Sequence, residues 1–367
     1  MHLGSLLTVF ATLTLMSYSS PTLARDFVVG QSIDLSGTSN LGKDFSNGIR
    51  TYFDAINTRG GVRGRKIQFV QLNDAGQAAG AQINIERLLR EHDVDVLIAP
   101  TSAETLFAAA NMVRLRSTAL TLLGAPTGTD VNSGGGEFKV VGLRASFRDE
   151  AKQLLDALQT FNDGAIVLVR GDGPDAIASH AAVRDEATVR RTKIAFEGTA
   201  AQWQATKAST QRIGAVIISG DAIGAAPALL HARRIAPQAI LLGFSSIDHR
   251  TLIELAGASA KGMMITQVVP PPAKTIHTFQ REHRSLMKQY RDEPPSQHTL
   301  EGYIVARILV AAYELVEGEP NPAKVSNALR TVSAMDFGPM RVNARVGGIG
   351  NRYVDVTAIS TKGGLIE

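Results

Sequence analysis

Short apolar runs that alternate with helix-length amphipathic stretches constrain this chain more than any other feature. The clearest case lies between Asp93 and Asp130. Val94 to Ala99 is apolar and ends at Pro100. Thr101-Ser102 follows, then a helical pattern from Glu104 to Arg116. A second apolar run, Ala119 to Leu123, ends in Gly124-Ala125-Pro126-Thr127. The order is strand, polar turn, helix, strand, polar turn: one βαβ unit. In a parallel sheet both turns leave from the carboxyl edge, where open α/β folds hold their ligands. Thr101 or Ser102 is placed to cap the helix, with Glu104 in its first turn. A helix start offers free N–H groups and a positive dipole to an anion such as a carboxylate.

The alternation extends in both directions. Phe27–Leu35 reads as a strand ending in Ser36-Gly37-Thr38-Ser39. A helix over Lys43–Asn57 puts Phe45, Ile49, Tyr52, Phe53 and Ile56 on one face. Strand Lys66–Leu72 and helix Ala78–Glu91 lead into the βαβ unit. Past the loop that holds Gly134-Gly135-Gly136 a second series begins. It runs helix Arg148–Thr160, strand Ala165–Arg170, helix Asp175–Glu186, strand Thr192–Phe196 and a helix around 201–209. Strand Ala215–Ser219, helix Ala225–Ile235 and strand Ala239–Gly243 complete it. Pro270-Pro271-Pro272 interrupts, because prolines continue neither a helix nor a central strand. Helices His277–Arg291, Leu300–Glu317 and Asn321–Val332 follow, and Pro339–Ile359 has strand character. The pattern predicts an α/β protein of two doubly wound parallel-sheet lobes with a cleft between their carboxyl edges.

Composition narrows the function. A chain of 367 residues, 44% hydrophobic, has enough apolar surface for two cores. Its net charge of +4 is scattered, which argues against nucleic acid. The absence of cysteine excludes disulfides, thiolate metal sites and a Cys nucleophile. Leu3–Ser17 is apolar but too short for a membrane span, and Pro21-Thr22-Leu23-Ala24 follows it. Residues 1–24 are read as a secretory signal peptide, which places the mature chain outside the cytoplasm. No GxGxxG or Walker A sequence follows a strand, GxSxG is absent, and the eight histidines make no metal spacing. Asp74, Asp172 and Asp221 each follow a strand, as a general base or a turn-stabilising residue would.

Several segments resemble the periplasmic solute-binding proteins of the leucine/isoleucine/valine-binding type. These are Asp34-Leu35-Ser36-Gly37, Ala55-Ile56-Asn57 with Gly60-Gly61-Val62-Arg63-Gly64-Arg65-Lys66, Asn73-Asp74, and Ile98-Ala99-Pro100-Thr101-Ser102. Gly124-Ala125, Gly262-Met263-Met264-Ile265-Thr266 and Leu300-Glu301-Gly302-Tyr303 extend the likeness over nearly the whole mature chain. The resemblance implies a type I periplasmic binding fold, with lobes 25–143 plus 271–340 and 144–270 plus 341–367 joined by three crossovers. It implies capture of a small solute by a periplasmic monomer, without cofactor or metal, and delivery to an ABC-type permease. A sensory subunit that reports to a receptor or kinase would share the same fold.

Position by position, Thr101, Ser102 and Ala103 match the family's carboxylate-holding turn. Ala125 and Thr127 match the turn that meets an ammonium. Leu41 stands where an aromatic lines the cleft wall, and Asp172, Asp221 and Ser245 match turns of the second lobe. Tyr303 matches a tyrosine that lines the cleft, although its helical spacing with Ile304 and Ile308 fits a core residue equally. The family's acid for the ammonium is missing, with Phe244-Ser245 in its place. Either Asp221 replaces it, or the ligand has no ammonium and is a simple carboxylate or other polar compound; the resemblance favours the latter.

Overall fold

The computed structural model describes residues 25–36, 40–116, 119–130, 138–159, 164–206, 212–344 and 350–366. The expected signal peptide and the 134–136 glycine loop lie outside the described residues.

The first lobe is built on β1 (Phe27–Ile33), β2 (Ile67–Asn73), β3 (Val96–Ile98), β4 (Leu122–Leu123) and β5 (Val140–Val141). They pair in parallel in the order β2-β1-β3-β4-β5. β1 is buried along its whole length, as a central strand covered on both faces must be. Helices α1 (Leu41–Thr58), α2 (Ala78–Glu91) and α3 (Ala103–Arg116) connect the strands. Phe45, Ile49, Tyr52 and Phe53 of α1 lie in the main core cluster of this lobe, the face expected from their spacing.

The chain then passes to the second lobe. It runs α4 (Phe147–Gln159), β6 (Ala165–Arg170), α5 (Pro174–Val189), β7 (Ile194–Thr199), α6 (Ala200–Ala205), β8 (Ile213–Ser219), α7 (Ala222–Ile235), β9 (Ile240–Gly243), α8 (His249–Ala256) and β10 (Met264–Gln267). It returns to the first lobe as α9 (Thr278–Tyr290), α10 (Gln297–Tyr313), α11 (Pro322–Thr331) and the hairpin β11 (Met335–Phe337)–β12 (Met340–Val342). The last strand, β13 (Asp355–Ala358), joins the second sheet, whose order is β13-β10-β9-β8-β6-β7 with only β13 antiparallel.

The chain therefore passes between lobes three times. The first and third passages are tied together: the Gly350 N–H donates to the Gly142 carbonyl, and the Gly350 carbonyl accepts from the Asn343 N–H, both at 2.8 Å. A Cβ on Gly350 would stand 2.5 Å from the Gly142 oxygen, so only glycine allows this approach. The third passage begins later than the expected division at 340/341, because Met340, Val342 and Ala344 all pack in the core of the first lobe.

Candidate functional site

Turns at the carboxyl ends of strands from both sheets converge on a cavity of about 270 Å³ between the lobes. The first lobe supplies Asp34 after β1, Leu41 at the start of α1, Thr101 and Ser102 after β3, Glu104 in α3, and Pro126 and Thr127 after β4. The second lobe supplies Asp172 to Ala176 after β6, Gly220 and Asp221 after β8, and Ser246 after β9. Arg144, in the first passage between lobes, and Phe147 also line it. Among the described residues, the wall carries five carboxylates, those of Asp34, Glu104, Asp172, Asp175 and Asp221, and one guanidinium.

Each lobe sets its polar groups by helix starts. The Ser102 hydroxyl accepts from the Thr105 N–H at 3.2 Å, which makes Ser102 the cap of α3. Asp221 caps α7 by accepting from the Gly224 N–H at 2.8 Å. α5 starts at Pro174 after Gly173, whose φ is +93°. Asp175 then stands in the first turn of α5 and reaches across the cleft. One carboxylate oxygen accepts from the Ala103 N–H at 2.8 Å, at the start of α3. The other accepts from the hydroxyls of Thr127 at 2.5 Å and Thr129 at 2.8 Å. The carboxylate thus lies between two helix N-termini, its own and that of the opposite lobe, where both dipoles favour negative charge.

The partners seen for Arg144 are not these acids. Its guanidinium donates to the Pro126 carbonyl at 2.7 Å and to the Ser245 hydroxyl, and stands 3.7 Å from the Glu301 carboxylate. With 2% of its side chain exposed, the charge is committed to these buried partners.

The family model described as periplasmic binding protein matches residues 27–363. The chain belongs to the periplasmic binding protein family. No curated protein matches the sequence. Among solved structures, a substrate-binding periplasmic protein from Ralstonia solanacearum is 23% identical, covers 93% of this chain and 99% of its own, and superposes with a TM-score of 0.82. A possible leucine/isoleucine/valine-binding protein from Rhodopirellula baltica is 24% identical over 94% and 96% of the two chains, with a TM-score of 0.80. A branched-chain amino acid transporter substrate-binding protein from Streptococcus pneumoniae, solved with isoleucine, is 14% identical over 93% and 98%, with a TM-score of 0.80. These likenesses give the type I periplasmic binding fold.

In this periplasmic binding protein the residues singled out from sequence divide into two groups. Leu41, Thr101, Ser102, Thr127, Asp172 and Asp221 line the cavity. Four others lie off its wall. Ala103 is buried and offers only its N–H, which Asp175 takes. Ala125 is buried against a small void of about 10 Å³ beside Leu143 and Val305. Ser245 is wholly buried, because its N–H and hydroxyl both donate to Glu150 beneath the second sheet edge; the neighbouring Ser246 faces the cavity instead. Tyr303 is wholly buried in the first lobe, where its hydroxyl donates to Glu282 at 2.6 Å and its ring meets Tyr52 edge-on. Burial and the Glu282 carboxylate push its pKa well above the usual phenol value.

Asp74, a base candidate on sequence, is a turn residue: it accepts from the Gly76 N–H and the Ser32 hydroxyl, both at 2.9 Å. Burial raises its carboxyl above the ordinary range despite those bonds. Sequence reasoning missed Asp34, Glu104, Arg144, Phe147, Asp175 and Ser246 as wall residues. Asp175 carried a signal, an acid just after a helix-starting Gly-Pro, but that pattern reads first as a helix start.

Proposed function

We propose that this chain is an extracytoplasmic solute-binding protein. It takes a small polar organic solute in the interlobe cavity and delivers it, as a periplasmic monomer without cofactor, to an ABC-type importer. The observation that carries this reading is the cavity itself. Its wall comes from strand-end turns of both lobes, so a bound solute touches both and favours their closure. At about 270 Å³ it lies near the lower bound of ligand-site volumes, roughly 300 Å³, which suits a metabolite-sized molecule. Family membership supports binding in place of turnover, and the second-lobe acids Asp172 and Asp221 are assigned to solute contact, not catalysis. No helix among the described residues is long and apolar enough to cross a membrane. The test is a thermal-shift screen over amino acids, amides, amines and carboxylates. A true ligand at 100 times its dissociation constant adds about 2.7 kcal/mol, a clear rise in melting temperature. Chemical conversion of any hit by the protein would overturn the binding reading.

A further inference from the structure

We infer that Asp175 is the specificity-determining residue of the cleft. It supplies from the protein itself the carboxylate that the start of α3 binds, so the cavity takes a small organic cation that carries no carboxylate. This rests on the solute-binding reading and replaces the carboxylate or amino-acid-like ligand expected from sequence with a ligand of the opposite charge.

Three observations carry it. First, three donors there are already engaged: the Ala103 N–H at the start of α3 and the hydroxyls of Thr127 and Thr129 after β4 all donate to Asp175. A ligand carboxylate at the same place must either displace a tethered one, which has the advantage of high effective concentration, or stand beside it as an unpaired like charge. Second, the remaining charge on the wall is negative. Asp34, Glu104, Asp172 and Asp221 line the cavity, where Asp34 accepts from the uncharged donors of Ser36 and Asp221 from the Gly224 N–H, while Arg144 is held by Glu301, Pro126 and Ser245. A cleft lined by one sign of charge concentrates the opposite sign. Third, these carboxylates are distributed around the wall. Among the described residues no group of three or more His, Asp or Glu is placed to hold a metal ion. A polyatomic cation reaches separated acids, and Leu41 and Phe147 offer apolar surface to its carbon skeleton.

The experiment compares the purified protein with its Asp175→Ala and Asp175→Asn variants by thermal shift and titration calorimetry. Three classes of compound are used: amines, diamines and alkylguanidines without a carboxylate; leucine and other zwitterions; and acetate with propionate. The unaltered protein is expected to respond to the first class alone. Asp175→Ala opens the place at α3, so acetate is expected to raise its melting temperature by about 2 °C and leave the unaltered protein unmoved. Asp175→Asn keeps the side-chain volume and is expected to gain no acetate response, which separates vacancy from general weakening. Stabilisation of the unaltered protein by leucine or acetate, or an Asp175→Ala variant indifferent to acetate, overturns the inference while the binding reading stands. If no compound of any class moves any of the three proteins, both fall together.

Discussion

The Ser102 hydroxyl faces its own helix: it accepts from the Thr105 N–H and also meets the Thr105 hydroxyl at 2.9 Å. Ser102→Ala leaves a helix-start N–H without its cap. The expected cost is about 1 kcal/mol of stability. Chemical denaturation reads it as a lower midpoint at unchanged slope, and an unchanged midpoint would remove the capping role. This cap is legible in sequence, since a Ser one residue before a helical run has few other places to go. The polar turns of the candidate site were legible for the same reason: they follow apolar runs at strand ends. What sequence could not show was which neighbour across the cleft each turn would meet. Asp175 lies 72 positions from Ala103, and only the approach of two lobes brings them together. Ser245 and Ser246 were likewise indistinguishable in sequence. The buried Glu150, which takes the N–H and hydroxyl of Ser245, decides which one turns inward.

At the scale of elements, α1 and α10 cross at a pair of glycines. A Cβ on Gly48 would stand 1.9 Å from the Thr299 carbonyl oxygen, and one on Gly302 would stand 2.0 Å from that of Phe45. In both cases the obstacle is backbone, which cannot rotate aside. Gly302→Ala is therefore expected to push the helices apart and destabilise the first lobe by about 3 kcal/mol, the upper part of the usual overpacking range. Thermal unfolding should show an early transition. A melting curve equal to that of the unaltered protein would mean the helices separate without cost. Long periodic elements such as α1 and α2 stand close to where their sequence patterns put them, because a one-sided apolar stripe leaves little choice of face. β5 is not legible in sequence, since two valines carry no period. Nor is α8, although Asp248 caps it by accepting from the Thr251 N–H at 3.0 Å. Its eight residues are too few for the apolar pattern to stand out.

At the scale of the whole molecule, the lobes are held together across the cleft by polar contacts that water replaces on opening. Asp175 is one. Another links the Arg250 guanidinium, on α8, to the Asp44 carboxylate, on α1, which also accepts from the Ser296 hydroxyl at 2.6 Å. Burial works against the Arg250 charge, but Asp44 and Asp248 outweigh it and hold the guanidinium pKa above its usual value. The Arg250 side chain is 35% exposed, so screening keeps the link in the range of partly exposed pairs, about 1 kcal/mol or less. A tie of that size sets the balance between open and closed forms without locking either. Arg250→Ala is expected to lower the closed population several-fold, because 1.4 kcal/mol is a factor of ten. Apparent affinity for the solute should fall by the same factor, since only the closed form holds it from both sides. Small-angle scattering of the unliganded variant should give a larger radius of gyration than the unaltered protein, and saturating solute should restore the compact curve. Identical scattering from the two unliganded proteins would show that Arg250 does not bias closure.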